Sequence, residues 1–230
     1  MVNSADFVYR VNKIMGYYQL SPSAFADKIK VQRSSISHLL SGRNKPSLDF
    51  VLKVVKEFDS VDVIINAPGI NSATPFFEIS DEEYEKIMSV NLKSIYLSCQ
   101  IFGKKMIEQG NGGSIINISS VSSGPPLSRV FTYSLSKAGV NNITQYLSKE
   151  WAAHNIRVNA IAPGFFPAEQ NRKILTKERV ASIFNHTPMN RFGDPEELIG
   201  ATIWLASEKA SSFVTGAVIR VDGGYTAMTI

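Results

Sequence analysis

Apolar side chains in the first sixty residues recur at helical spacing. Phe7, Val8, Val11, Ile14 and Met15 form one stripe, Phe25, Ala26 and Ile29 a second, Ile36, Leu39 and Leu40 a third, and Leu48, Val51, Leu52 and Val55 a fourth. No stretch there alternates with period two. Ser21-Pro22 reads as an N-cap followed by proline at the first helical position, Gly42 as a C-terminal cap, and Pro46-Ser47 as the opening of the last helix. The pattern predicts four or five short helices in an all-α unit spanning residues 1–58.

From residue 61 strands and helices alternate. Val61-Asp62-Val63-Ile64-Ile65 is a buried-strand run, and Ser80-Asp81-Glu82-Glu83 is a capping box that opens a long helix toward Met106. A strand at 114–118, a helix at 133–153, a strand at 156–161, a helix at 195–206 and a strand at 217–221 follow. Repeated strand, helix, strand predicts an α/β unit, residues 61–230, with a parallel sheet flanked by helices. No Gly, Ser or Pro linker separates the two units.

Composition removes several classes. With 44% hydrophobic and 19% charged residues the chain can bury a core and is neither disordered nor low-complexity. The single cysteine, Cys99, cannot close an internal disulfide, and no Cys/His cluster has metal-ligand spacing, so a stapled secreted scaffold, a zinc finger and any other metal site are not expected. No apolar run reaches the roughly 18 residues of a membrane span and no export signal opens the chain, so a cytoplasmic, membrane-free protein is expected. The net charge of +4 is local: residues 1–60 carry nine basic and five acidic side chains, and the remaining residues balance at fifteen each. Glycine is skewed too, with only Gly16 and Gly42 before residue 60 out of 15 in the chain.

Residues 20–47, LSPSAFADKIKVQRSSISHLLSGRNKPS, resemble the helix-turn-helix of the Cro/C1-type repressor family. Such a unit lays its third helix in the major groove of double-stranded DNA, where each base pair shows a distinct donor and acceptor pattern. The resemblance implies that Arg33, Ser34 and His38 face base edges and that Gln32, Arg43 and Lys45 reach phosphates. Where the family usually has glycine in the turn this chain has Lys30, and a side chain in left-handed backbone costs roughly 1 kcal/mol. The alternative is a small helical bundle with a solvated basic face.

Tyr133-Ser134-Leu135-Ser136-Lys137 places a lysine one helical turn after a tyrosine, a pattern that Tyr9 and Lys13 match equally well. Context separates them. Asn66-Ala67-Pro68-Gly69 after a strand, Val90-Asn91-Leu92 in a helix, Ser119-Ser120 at a strand end, Arg157-Val158-Asn159-Ala160 and Val221-Asp222-Gly223-Gly224 follow an order that resembles the short-chain dehydrogenase/reductase family over about 170 residues. The resemblance implies a catalytic set of Asn91, Ser120, Tyr133 and Lys137. It implies further that NAD or NADP is held by Asn66, Ala67, Gly69, Tyr133, Lys137, Pro163 and Gly164. A phenol with an ordinary pKa near 10 is a poor acid or base at neutral pH, and an ammonium one turn away pulls that value down. Tyr133 would shuttle the proton, Lys137 tune it and hold the nicotinamide ribose, Ser120 bind the substrate oxygen and Asn91 support a relay water. Without that context, a surface Tyr/Lys pair and a helix-interior asparagine would explain these residues. The stretch Pro163 to Asn171, with Arg191-Phe192-Gly193, is similar to members acting on sugars and sugar acids of the gluconate or mannonate type, although Ala168 stands where a threonine is common.

One part of that pattern is missing from residues 1–60. Members open with a strand, a glycine-rich turn and a helix that bind the pyrophosphate, and with two glycines no G-x-x-x-G-x-G or G-x-G-x-x-G can be written there. The expectation is an incomplete Rossmann-like sheet lacking its first βα units, with the strand before Asn66 as an exposed edge. Two functions follow. One is sequence-specific DNA binding with the α/β part as a dimerising or sensing module, in a homodimer or higher oligomer joined through helices near 84–108 and 134–150. The other is an NAD(P)-dependent oxidoreductase acting on a sugar or sugar acid. A fusion product that performs neither is the third possibility.

Overall fold

The computed structural model describes residues 11–12, 14–16, 18–41, 47–58, 60–167 and 176–228, and the chain divides into two compact units, Met1–Val61 and Asp62–Ile230. The sequence expectations placed on Phe7, Val8, Gly42, Arg43, Lys45, Pro46 and Ala168 lie outside the described residues.

In the first unit, helical backbone at residues 11–12 and 14–16 precedes α1 (Pro22–Lys28), α2 (Arg33–Leu40) and α3 (Leu48–Phe58). Ser21 caps α1, its hydroxyl accepting from Ala24 N at 3.1 Å, with Pro22 at the first helical position as the sequence predicts. Ser47 does the same for α3, accepting from Phe50 N at 3.2 Å. Members of the first three predicted stripes converge, Val11, Met15, Phe25, Ala26, Ile29, Ile36 and Leu39 being buried together, while from α3 it is Phe50, outside the predicted stripe, that joins them. Lys30 occupies the turn between α1 and α2 at φ +54°, so the left-handed residue inferred from the absent glycine is present.

The second unit holds four parallel strands in sequence order, β1 (Val63–Asn66), β2 (Gly113–Ile118), β3 (Ile156–Pro163) and β4 (Val218–Val221). β2 and β3 are buried along nearly their whole length, as strands covered on both faces are. Ile116 and Ile161 pack against Leu205 of α8 (Ile199–Ala206), which Pro195–Leu198 leads into with a tighter turn. Ser114 Oγ and Arg157 Nη1 both donate to the Leu205 carbonyl, at 2.8 and 2.9 Å, and so fasten the end of α8 to the starts of β2 and β3. Asn159 donates to Val214 O at 2.8 Å and accepts from Ala217 N at 3.0 Å, which sets β4 in place. β1 is an edge of this sheet, with Val63 and Ile65 38% and 44% exposed.

The long helix expected from Ser80 toward Met106 is two helices. Ser80 caps α4 (Asp81–Met88) as predicted, but a π-type turn over Ser89–Lys93 separates it from α5 (Ser94–Gln109). The extra residue of a π turn rotates Asn91 inward, where it is fully buried. α6 (Phe131–Trp151) links β2 to β3, while α7 (Lys177–Asn185) and the short α9 (Glu208–Ser211) complete the helices.

Candidate active site and nucleic-acid interface

Three segments bring the predicted catalytic residues together at the C-terminal ends of β1 and β2. Ser120 follows β2 and caps a tight turn at Val121–Ser123, its Oγ accepting from Ser122 N at 3.2 Å and from Ser122 Oγ at 3.1 Å. Tyr133 lies in the first turn of α6, with its phenol hydrogen-bonded to Ser120. One turn later Lys137 Nζ donates to Ile118 O at 2.8 Å and Pro68 O at 3.1 Å, 5.8 Å from the Tyr133 ring centroid. Asn91 donates to Ile70 O at 2.9 Å and to Ser136 Oγ at 3.0 Å while accepting from Ile70 N at 2.8 Å.

Burial governs the electrostatics here. It pushes the Tyr133 phenol up, with the Ser120 hydrogen bond acting against it, and brings the Lys137 ammonium down to about 8. The expectation that the ammonium draws the tyrosine below its ordinary value is therefore corrected. Lys137 is spent on two backbone carbonyls, and desolvation of the phenol is the larger effect.

The residues expected to hold cofactor separate into exposed and structural groups. Ala67 and Gly69 are exposed in the loop after β1, and a side chain on Gly69 would come within 3.8 Å of Lys137 Nζ. Asn66 is buried, donating to Asn117 Oδ1 at 2.8 Å and accepting from Ser98 Oγ at 2.6 Å, so its amide braces the floor of the site. Pro163 ends β3, and Gly164 is required by the chain itself, since a Cβ there would lie 2.8 Å from Asp222 Cα. Sequence reading missed Ser136, which donates to Tyr133 O at 2.7 Å and so ties Asn91 to the tyrosine's backbone. It also missed Asn141, which accepts from Ser119 Oγ at 2.6 Å and donates to Ser123 Oγ at 2.8 Å on either side of Ser120. Asn141 is four residues beyond Lys137, a spacing that places it on the same helix face.

In the helical unit, α2 turns Ile36 and Leu39 inward and leaves Gln32, Ser34 and His38 exposed. Arg33 does not extend freely from the helix start: Nε donates to Asp27 Oδ1 at 3.2 Å and Nη2 to Asp27 Oδ2 at 2.7 Å. The planar guanidinium matches a carboxylate bidentately, and Asp27 on α1 is within its reach. Among the described residues no group of His, Cys, Asp and Glu could hold a metal ion, and no helix is long and apolar enough to cross a membrane.

A parallel α/β sheet whose strand ends carry a serine, a tyrosine, a lysine and an inward asparagine defines a Rossmann-like oxidoreductase fold, preceded here by a helix-turn-helix. Residues 46–226 match the family model described as enoyl-(acyl carrier protein) reductase, and residues 18–64 match helix-turn-helix. The chain belongs to the short-chain dehydrogenase/reductase family. It is 40% identical over 176 residues to 2-dehydro-3-deoxy-D-gluconate 5-dehydrogenase of Escherichia coli, covering 76% of this chain and 69% of that relative. Over 180 residues it is 34% identical to gluconate 5-dehydrogenase of Gluconobacter oxydans, covering 78% and 70%. The crystal structure of a gluconate 5-dehydrogenase from Burkholderia cenocepacia in complex with NADP and tartrate superposes with TM-score 0.73 at 32% identity, covering 80% of this chain and 73% of that one.

Proposed function

We propose that the unit beginning at Asp62 is the active site of an NAD(P)-dependent oxidoreductase that acts on a hydroxyl or keto group of a gluconate-type sugar acid. The observation that carries this reading is the convergence of Ser120, Tyr133 and Lys137, with Asn91 braced behind them through Ser136. The relatives named for gluconate and 2-dehydro-3-deoxy-D-gluconate support the substrate class. In this mechanism Ser120 hydrogen-bonds the reacting oxygen, and the Tyr133 hydroxyl gives it a proton during reduction or accepts one during oxidation. The positive Lys137 favours the phenolate whenever the proton leaves. A nicotinamide cofactor, when bound, supplies or accepts the hydride.

The residues present fit the nicotinamide-ribose end of such a cofactor: a buried ammonium beside the phenol, and an open Ala67–Gly69 loop at the strand ends. Residues 1–60 offer no glycine-rich turn for the pyrophosphate. The proposal is therefore of a site that grips one half of its cofactor. Calorimetric titration of the full chain with NADH, NADPH and reduced nicotinamide mononucleotide tests it. Millimolar binding is expected for all three, with the mononucleotide within about tenfold of NADH, or 1.4 kcal/mol. Absence of heat with every one of them at millimolar concentration overturns the reading, and micromolar NADH binding with a far weaker mononucleotide overturns the half-grip.

A second activity is favoured by the helix-turn-helix match and by the outward polar face of α2: binding of double-stranded DNA. The Asp27–Arg33 pair is solvent-exposed, so phosphate can compete for the guanidinium. Asp27→Asn removes a negative charge from α1 and frees Arg33. It is expected to raise affinity for mixed-sequence duplex DNA severalfold and to steepen the salt dependence by up to about 0.9 in log–log slope. Weaker binding, or an unchanged slope, contradicts this placement of Arg33. The same titration reads stoichiometry. Tyr96 and Leu97 on α5 and Leu135 and Tyr146 on α6 expose apolar surface that fits a second copy of the chain, so two chains per duplex are expected.

A further inference from the structure

A cleft of about 790 Å³ opens past the C-terminal end of β3, where Phe165 lines it. One wall is residues 126–128, part of the segment that begins at Ser120 and ends at Tyr133, and the facing wall is α7. Its aromatic side is built by Tyr225, edge-on to Phe165 with centroids 5.3 Å apart and to His186 with centroids 4.8 Å apart. Ser128 adds a polar group.

Two charged side chains at the start of α7 line this cleft, Glu178 and Arg179, and they are differently engaged. The Glu178 carboxylate is hydrogen-bonded by its own backbone N–H and by the Thr176 hydroxyl, which hold it below the usual carboxylate range. Arg179 has its backbone N–H on Thr176 Oγ at 3.2 Å, which fixes the root of the side chain. Its guanidinium makes no ion pair and no side-chain hydrogen bond among the described residues, although it is partly buried. Its charge is nonetheless felt across the cleft, opposing the upward push that burial gives the Tyr225 phenol. Other arginines of this unit are already committed: Arg191 is bidentate to Glu197 at 2.6 and 2.8 Å, and Arg157 is bound to Leu205 O and Ser211 Oγ.

A part-buried guanidinium without an ion pair among the described residues, lining a cleft with an aromatic side and polar groups, can receive an anion of matching shape, and a planar fork matches a carboxylate. We propose that Arg179 is the specificity residue of this site, receiving the carboxylate of a polyhydroxy acid whose carbon chain lies along Phe165 and Tyr225 with its reacting carbon toward Ser120 and Tyr133. The orientation rests on the oxidoreductase reading; the carboxylate contact does not.

The test compares D-gluconate with D-glucitol, which has the same number of carbons and no charge, by calorimetry on the full chain. Wild type is expected to bind gluconate at least about tenfold more tightly than glucitol. Arg179→Gln should abolish that preference and leave glucitol binding unchanged, while Arg179→Lys, which keeps the charge and loses the fork, should fall between them. In turnover, Arg179→Gln should raise KM for the acid with little change in kcat. Equal binding of gluconate and glucitol by wild type overturns the inference, as does unchanged gluconate binding by a folded Arg179→Gln protein. The two proposals fail separately. Arg179-dependent gluconate binding without turnover removes the oxidoreductase reading alone, and turnover with an unaltered KM in Arg179→Gln removes the specificity role alone.

Discussion

Replacing Tyr133 with phenylalanine is expected to lower sugar-acid turnover by about 10²–10⁴-fold, the usual worth of a positioned general acid or base. The change deletes one oxygen from a side chain whose ring is set by α6, so the surrounding packing survives. Ser120 loses a hydrogen-bond partner but keeps Ser122, which donates to it from both backbone and side chain. Cofactor binding should persist in the variant, because Lys137 is held by Ile118 O and Pro68 O rather than by the phenol. A Tyr133→Phe protein that turns over within a fewfold of wild type would remove the phenol from the chemistry.

The second large effect concerns Lys137. Burial brings this ammonium down to about 8, whereas the phenol is pushed above its ordinary value. Through the neutral range Tyr133 therefore stays protonated, as reduction of a keto acid requires. Lys137 then controls the alkaline side: as pH rises through about 8 it loses its charge, and its support for a departing phenol proton is lost. The reduction rate should fall above that pH. Lys137→Met is expected to lower turnover by about 10²-fold or more and to abolish this alkaline fall. The sign for stability follows from the lowered value: between about 8 and 10.5 the unfolded chain holds a proton that the fold has released, so stability rises with pH. A buried lysine with a lowered value is penalised while charged, so the fold bears that penalty below about pH 8 and is relieved of it as pH rises from there toward 10.5. Methionine removes the penalty and fills a similar volume, offsetting about 1 kcal/mol for each carbonyl that loses its donor. The variant should thus fold. A Lys137→Met enzyme with the wild-type pH profile would exclude the lysine from the proton step.

Much of this site was legible because short-range spacing and fold order agree. The step of four residues between Tyr133 and Lys137 fixes them on one face of α6, and Ser120 follows the C-terminal end of β2, where a parallel sheet presents its site residues. The inward turn of Asn91 was not legible. A capping box followed by helical periodicity gives no sign of the π turn at Ser89–Lys93, which depends on tertiary bonds from Ile70 and Ser136. Nor was the direction of the tyrosine's shift, because distance along a helix says nothing about which carbonyls will claim the ammonium. The Arg33–Asp27 pair joins two helices, and spacing within α2 alone could not reveal it. Lys30 is the converse case: a missing glycine in a recognised turn was enough to place a left-handed residue.

The two family matches share residues 46–64, which contain α3 and the first two residues of β1. α3 therefore falls within both matches. Phe50 of that helix is buried in the core of the first unit. The sequence therefore passes from one fold to the other without a linker.

The most direct test of the oxidoreductase assignment is the rate at which the full chain consumes millimolar NADH or NADPH when offered keto-aldonates, measured side by side with Tyr133→Phe. The account predicts substrate-dependent loss of reduced cofactor in wild type that all but vanishes in the variant. A folded wild-type protein showing no substrate-dependent loss across gluconate-type keto acids, or a loss the variant shares, would contradict it.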